Sequence, residues 1–489
     1  MCRKMKQLHR PGCWLTSWLL LLHILVLSSS SSSSSSIAVS SSSVNDAILD
    51  AAAPPATSPN GGAGHEFGKR LQQHRPSPSQ SVDIQQQHLI DAAMIMSTQA
   101  TARLSDGDVV SCVPINMQPA VVNAKLLKVQ LQPAIAAVPR PGNSTRNRLG
   151  SRVASQLFAL EFGACPAGTI PLRSYNSSTG GASSSSSSHS SNTSNDPEQE
   201  SVRKPEFGNS GLQPAEPTAS DNLFHAHAYT VTDITNPPSY KGTEVFINVW
   251  EPVVVEPHDF SLAQLWFLNT GLAYPSSSSS SLLNTIEAGW QVYPELYGDD
   301  QPRLFIYWTG DAYNQTGCYN LNQGCPAGSP GFVQVSNKVL IGGSISPTST
   351  TDSTQYEFKL LVFKDDSSGN WWLQFNNEYV GYWPDALFNS LKDMGDLIQW
   401  GGEILVSSTG SSSSNNISIN MGSGDGSSLG YKKAAYQRNL QYVATDNTLH
   451  DVCNLQGMAE DPNCFSVTVR HSTQWGSYFY YGGSGFCNR

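Results

Sequence analysis

Residues 285–293 read TIEAGWQVY, and this stretch decides the fold class. Successive side chains of a β-strand point to opposite faces of the sheet. One face therefore receives the apolar side chains Ile286, Ala288, Trp290 and Val292. The other face receives Glu287, Gly289, Gln291 and Tyr293. This alternation predicts a half-buried β-strand rather than a helix.

Residues 397–405, LIQWGGEIL, repeat the arrangement in reverse order. Gln399, Gly401, Glu403 and Leu405 share one face, so each stretch carries a glutamate, a glycine and a glutamine at steps of two. A glycine beside a charged strand residue is typical of a close approach by another backbone or a ligand. If the two faces meet in one cleft, Glu287 and Glu403 become neighbours, and like charges at short range divide into an acid and a base. Such a pair is suited to activating water against a peptide carbonyl or to serving a glycosidic bond.

Further stretches of period two surround these two strands. They lie at residues 244–250, 303–309, 355–363, 371–375 and 478–481, and clusters of Gly, Asn, Asp and Ser separate them. Many short strands with turn signals at this spacing predict an all-β domain, an antiparallel β-sandwich. The composition agrees, because charged residues make up only 13% of the 489 residues while there are 40 glycines and 29 prolines. A helical bundle or coiled coil is excluded by that mixture.

Low-complexity tracts divide the chain into five predicted segments. These are a signal peptide at residues 1–36, a disordered Ser/Pro/Gln-rich segment at 37–81, a small mixed α/β pro-segment at 82–176, a Ser-rich linker at 177–220 and the β-sandwich at 221–489. The two polar segments contain too little apolar surface to offset the entropy of ordering.

The first residues have the pattern of a secretory signal. Four basic residues precede an apolar run at 13–27, which is followed by nine serines. The run is too short for a comfortable membrane span, so we expect cleavage and no membrane attachment afterwards. The expected location is outside the cell, in the cell wall or apoplast, or in the vacuole. Sequons for N-glycosylation agree with that route and lie at Asn143, Asn176, Asn192, Asn314 and Asn416.

The charge distribution is asymmetric along the chain. From residue 221 onward there are 11 Lys and Arg against 25 Asp and Glu, a net charge of −14, whereas the first 220 residues carry +4. This balance argues against a nucleic-acid partner. It favours an intramolecular partnership, and we expect the pro-segment to inhibit the sandwich by docking over its cleft. The competing interpretation is a segment that assists folding without inhibiting.

Seven cysteines remain after the predicted signal, namely Cys112, Cys165, Cys318, Cys325, Cys453, Cys464 and Cys487. In an oxidising compartment most of them should pair. Cys318 with Cys325 and Cys464 with Cys487 are the candidate bridges, and the odd number leaves one thiol over. The sequence also places His225 and His227 on one strand face, and with no third ligand in view we expect a surface histidine pair and no metal.

Several motifs resemble the plant neprosin family. Residues 286–294, 303–309 and 317–320 read IEAGWQVYP, RLFIYWT and GCYN and are similar to the family's core, and WGGEI at 400–404 is similar to its second glutamate motif. DGDVVSCV at 106–113 and CPAGTIPLR at 165–173 resemble its activation-peptide region. Members of this family are secreted glutamic peptidases that cleave after proline.

The resemblance implies a β-sandwich peptidase made as an inactive precursor, with Glu287 and Glu403 as its catalytic pair and no cofactor. One glutamate acts as general base on a water and the other protonates the leaving nitrogen, with both assignments open. One of the two has to be protonated, which explains a preference for acidic conditions. The substrates are then proline-containing peptides or proteins, and we expect a monomer. Trp290, Gln291, Tyr293 and Gln399 are predicted from strand geometry alone to support or contact the pair.

Two other classes of function fit the residues. Abundant Trp and Tyr on a sandwich suit stacking on sugars, so a non-catalytic glycan- or wall-binding protein is the alternative. A glycosidase that uses the same two carboxylates is the third hypothesis.

Overall fold

The computed structural model describes residues 101–123, 128–140, 151–174, 222–230, 238–271, 282–321, 330–407 and 419–485. All of these belong to one compact unit of the chain. The predicted signal peptide, both predicted polar segments, Cys325, Cys487 and four of the five sequons lie outside the described residues. Asn314 is described, and its side chain is exposed. No helix in the described part is long and apolar enough to cross a bilayer.

The secondary structure is almost entirely β, as predicted. The first five strands are β1 (Thr101–Arg103), β2 (Val109–Pro114), β3 (Ser151–Val153), β4 (Ser155–Gln156) and β5 (Thr169–Ser174). The next nine are β6 (Asn222–Thr230), β7 (Gly242–Asn248), β8 (Phe260–Asn269), β9 (Asn284–Val292), β10 (Arg303–Thr309), β11 (Cys318–Tyr319), β12 (Val333–Gln334), β13 (Ile345–Ser346) and β14 (Gln355–Lys364). The last nine are β15 (Trp371–Phe375), β16 (Glu378–Trp383), β17 (Leu397–Val406), β18 (Asn420–Met421), β19 (Ala435–Val443), β20 (Leu449–Asp451), β21 (Leu455–Ala459), β22 (Ser466–Ser472) and β23 (Gly476–Ser484).

The helices that the structure describes are short. Three are α-helical: α1 (Pro119–Asn123), α2 (Leu157–Glu161) and α3 (Pro294–Tyr297). Single 3-10 turns occupy Ile115–Met117, Ile135–Ala137, Asp385–Leu387 and Ser427–Leu429.

Two large sheets form the sandwich. The front sheet has seven strands in the order β11-β10-β9-β8-β17-β6-β21, all paired antiparallel. The back sheet has eleven strands, with β12-β16-β15-β14-β7-β19-β23-β18 as its main path. In the front sheet, β8 lies between β9 and β17, so the two glutamate strands are separated by a single strand.

The main core fills the space between the two sheets. The apolar residues of β9 pack there with those of β8, β17 and the back sheet, among them Ile286, Ala288, Trp290, Ile247 and Leu360. The ring centroids of Phe267 and Trp371 lie 4.9 Å apart across the interface. Each fully buried side chain of this size contributes about 1.5–3 kcal/mol of hydrophobic free energy. The inner face is therefore committed to folding, which leaves the outer face of the front sheet for chemistry.

An N-terminal unit, consisting of the described residues between 101 and 174, packs on the sandwich. A disulfide joins Cys112 to Cys165 within it. Strand β3 extends the back sheet by pairing parallel to β14, and Ala154 is buried in the main core. The Gln118 amide donates to the carbonyl of Gln334 and accepts from its N–H, at 2.9 and 2.8 Å.

A buried ion network joins this unit to the front sheet. Arg303, which is fully buried, donates from Nη1 to Asp108 Oδ2 at 2.7 Å and also pairs with Asp299. Arg173 donates to Asp108 Oδ1 at 2.6 Å and to the carbonyl of Tyr297 at 2.6 Å. These contacts reach the Arg303 end of the front sheet. Docking of the unit over the cleft remains a prediction.

Candidate active site

Glu287 and Glu403 lie on the outer face of the front sheet, as the alternation predicts. Glu287 on β9 is paired with Trp266 of β8, and Glu403 on β17 is paired with Leu262 of the same strand. Residue 264 of β8 stands between those two positions on the same face. Both glutamates are more than nine-tenths buried.

Gln264 joins the two carboxylates. Its Nε2 donates to Glu287 Oε2 at 3.2 Å and to Glu403 Oε2 at 3.3 Å. Because one nitrogen reaches both oxygens, the two Oε2 atoms are no more than about 6.5 Å apart. An upper limit of this size is compatible with one water molecule in contact with both carboxylates. The two glutamates are therefore close enough to act on one substrate group together.

Hydroxyl groups hold the other oxygen of Glu287. Tyr313 donates to Glu287 Oε1 at 2.7 Å and Thr285 donates to the same atom at 2.8 Å. Burial raises the pKa of Glu287 to about 7, opposed by the hydrogen bond from Tyr313 and assisted by the charge of Glu403. Glu287 therefore holds a proton under acidic conditions.

The loop after β10 positions Tyr313. Ala312 and Tyr313 both have a φ of 60°, the left-handed region, which turns the chain back over the sheet. Asp311 fixes the loop by accepting backbone N–H groups of residues 314–316. The Tyr313 ring stacks on Tyr307, with centroids 6.0 Å apart. Sequence reasoning did not identify Tyr313, because its approach depends on this loop conformation.

The two glycines beside the glutamates are sites of close backbone approach, as predicted. A Cβ at Gly289 would lie 2.0 Å from the carbonyl oxygen of Ala263 and 2.6 Å from the Cα of Gln264. A Cβ at Gly401 would lie 2.5 Å from the carbonyl oxygen of Ala226. Gly289 therefore lets β9 come close to β8, the strand between the two glutamates, and Gly401 lets β17 come close to β6.

His225 on β6 forms an ion pair with Glu403. Its Nε2 lies 3.5 Å from Glu403 Oε2, and its Nδ1 lies 2.9 Å from Glu460 Oε2. Burial lowers the pKa of His225, but the two carboxylates outweigh burial and raise that pKa to about 10. The prediction that His225 and His227 form a surface pair is wrong. His225 is largely buried between carboxylates, and His227 is only 8% exposed. The described residues contain no cluster of three or more ligands suited to a metal ion.

The four predicted supporting residues occupy different places. The prediction that Trp290 supports or contacts the glutamates is wrong. Trp290 lies on the inner face, where its Nε1 donates to the carbonyl of Asn248 at 2.9 Å. Tyr293 is buried at the end of β9 and donates to Glu295 at 3.2 Å. Gln291 is on the glutamate face, fully buried beside Arg303 on the next strand. Gln399 shares the face with Glu403 and is paired with Trp266 and Tyr229.

Disulfide bonding extends beyond Cys112. Cys318, Cys453 and Cys464 are each disulfide-bonded. The predicted partners Cys325 and Cys487 lie outside the described residues. Cys453, for which the sequence indicated no pairing, is therefore not a spare thiol.

Comparison with known proteins gives two findings. Residues 257–484 match the family model for Neprosin, a range that contains both Glu287 and Glu403 and begins after His225. A crystal structure of scytalidoglutamic peptidase with a peptide-based transition-state analogue is also similar to this chain. Its sequence identity is 9% and its TM-score 0.26, over 54% of this chain and 98% of that one.

Proposed function

Because the chain belongs to the neprosin family, a family of glutamic peptidases, we propose that it is a secreted endopeptidase that cleaves after proline under acidic conditions. The observation that carries this proposal is the shared hydrogen bonding of Glu287 and Glu403 to one amide nitrogen of Gln264. No metal or cofactor takes part in the proposed chemistry.

In the proposed reaction, Glu403 acts as the general base. Its carboxylate takes a proton from a water molecule held between the two glutamates, and the water oxygen attacks the peptide carbonyl. Glu287 enters protonated, donates a hydrogen bond to the carbonyl oxygen as the tetrahedral adduct forms, and then transfers its proton to the leaving nitrogen as the C–N bond breaks. The proton that Glu403 took from the water then passes to Glu287 and restores the starting state of the pair. Placing the two groups in a buried site strengthens each of these interactions, since the local dielectric is low.

The acidic preference follows from the pKa of Glu287. Its pKa of about 7 means that the proton needed for catalysis is present below that pH and is lost as the pH rises through it. Activity should therefore decline on the alkaline side near neutrality.

The N-terminal unit is proposed to keep the enzyme latent until it is removed. What supports this is its buried attachment through Asp108 to Arg303, on the same sheet face as the glutamates. Removal would require cleavage of the segment between residues 174 and 222. The test is to cut the chain between these residues, separate the N-terminal unit at acidic pH and compare the activity with that of the uncut chain; equal activity refutes latency.

The test of the whole proposal uses Glu287→Gln and Glu403→Gln in the full chain after acid treatment. Gln keeps the shape of the side chain but cannot ionise, so each variant should lose at least 1,000-fold in kcat on a proline-containing peptide, the order of magnitude for removing a central catalytic group. Glu378→Gln is the matched control, because Glu378 lies on the back sheet and pairs with the exposed Lys338.

The cleavage products distinguish the remaining classes. Digestion of a peptide library, read by mass spectrometry, should give new C-termini ending in proline. Full activity in either glutamine variant would refute the assigned pair. Release of reducing ends from a polysaccharide would support a glycosidase instead, and glycan binding without any hydrolysis would support a binding protein.

A further inference from the structure

We infer that His225, held by Glu460, is a positioning residue that keeps a positive charge against Glu403 and thereby makes Glu403 the ionised member of the catalytic pair. This inference rests on the proposed function. It concerns two residues that the motifs did not single out for catalysis, and His225 lies before the matched range 257–484.

The geometry favours a doubly protonated ring. Nδ1 of His225 is 2.9 Å from one carboxylate and Nε2 is 3.5 Å from another. A neutral imidazole has one N–H, so it would turn a lone pair toward one of the two negative groups. The imidazolium has two N–H groups and attracts both carboxylates. Burial of the ring keeps solvent from screening that attraction.

Glu460 fixes the ring in place. Its Oε2 accepts from the backbone N–H of His225 at 3.0 Å as well as from the ring. The backbone N–H of Glu460 in turn donates to the carbonyl of His225 at 3.0 Å. The two backbone contacts fix the main chain of His225 beside Glu460, and the ring contact at Nδ1 orients the imidazole with its second nitrogen toward Glu403.

The two glutamates therefore have different surroundings. Glu403 contacts a cation, whereas the donors to Glu287 are the neutral groups of Tyr313, Thr285 and Gln264. A nearby cation stabilises a carboxylate much more than a neutral donor does. The last proton shared by the pair therefore resides on Glu287.

The titratable groups that face His225 come from its own strand and both neighbours. They are Glu403 on β17, Glu460 just after β21, and His227 two residues along β6, whose ring centroid is 6.1 Å from that of His225. Burial and the charge of His225 lower the pKa of His227 to about 4. His227 is thus neutral above about pH 5, which makes it a matched control.

The experiment compares His225→Gln with His227→Gln in the acid-treated full chain. The readout is the pH dependence of kcat and kcat/KM on a proline-containing peptide. His225→Gln removes a unit charge in contact with Glu403. The acid limb, the low-pH side of the activity profile, should therefore move to higher pH by about 1–3 units. At a pH on that limb, His225→Gln should lower kcat about 10-fold or more. His227→Gln should leave the profile unchanged above pH 5, where His227 is neutral. His225→Lys, which restores a cation, should move the limb back.

A second measurement does not depend on activity. In the full chain labelled with 15N-histidine, the ring nitrogens of His225 should keep imidazolium chemical shifts at pH 7.5, and those of His227 should be neutral. The His225→Gln variant assigns the signals. A neutral His225 at that pH, or an acid limb unmoved in His225→Gln, overturns the inference. If the glutamate-to-glutamine variants retain activity, the proposed function fails instead.

Discussion

Tyr313→Phe tests whether Glu287 is the proton donor. The hydroxyl of Tyr313 donates to Glu287 Oε1 at 2.7 Å, and this bond lowers the pKa of Glu287 against the effect of burial. Removing the hydroxyl favours the protonated form. Since Glu287 has to be protonated to act, a higher pKa keeps the enzyme active to a higher pH. The alkaline limb of the activity profile should therefore move upward.

The size of the shift follows from the contacts that remain. A hydrogen bond to a charged acceptor contributes about 1.5–3 kcal/mol, and one pKa unit corresponds to about 1.36 kcal/mol. These values bound the shift at about 1–2 units. Thr285 and Gln264 still donate to Glu287 in the variant, so we expect the lower end, about one unit.

The assay is kcat/KM for a fluorogenic proline-containing peptide between pH 3 and pH 9, with the acid-treated full chain. The pH at which the limb falls is the result that matters, because a change in the loop that carries Tyr313 can also alter the maximal rate. Tyr229→Phe is the control, since that hydroxyl lies on the same sheet and donates to neutral Gln456 at 3.2 Å. A limb that stays in place or moves downward in Tyr313→Phe would refute Glu287 as the acid.

Three further substitutions probe the rest of the site. Asp108→Asn leaves the buried Arg303 with only part of its counter-charge, so urea unfolding of the full chain should show that the free energy of unfolding falls by about 3 kcal/mol. A decrease under 1 kcal/mol would contradict a stabilising role for the buried ion network. Gln264→Leu removes the donor shared by both carboxylates and should lower kcat about 100-fold, with KM little changed; an unchanged kcat would show that the amide does not organise the pair. Gly401→Ala introduces a Cβ only 2.6 Å from the Cα of His227, and a thermal melt should record about 1–3 kcal/mol of destabilisation.

Strand periodicity was sufficient to predict which face of its strand each glutamate occupies. A period of two assigns each residue to a face without further information, and it put Glu287 and Glu403 on the face opposite the core. The same rule places Trp290 on the inner face, so including it among the supporting residues contradicted the alternation. Its indole is part of the core, where its N–H bonds to Asn248.

Strand order was not accessible from the sequence, and Gln264 was missed for that reason. Strand β8 is buried along its whole length, so its apolar run resembles any core strand. Nothing local indicates that it pairs with both β9 and β17. The available signal was a single glutamine in the run FSLAQLWFLN, a polar side chain that needs partners once it is buried. The contact of His225 with Glu460 depends on strand order in the same way, since 235 residues separate them.

The division of labour between the glutamates is a property of their surroundings. Two exposed glutamates would both be ionised at pH 6, and neither would hold a proton for a leaving group. Here burial removes solvent from both, which makes a second negative charge costly, and the pKa of Glu287 rises to about 7. If His225 carries the positive charge inferred above, that cation decides which of the two stays ionised. Residue type and strand face could be read from the sequence. The assignment of acid and base could not, because it depends on contacts supplied by β6, β8 and the loop after β10.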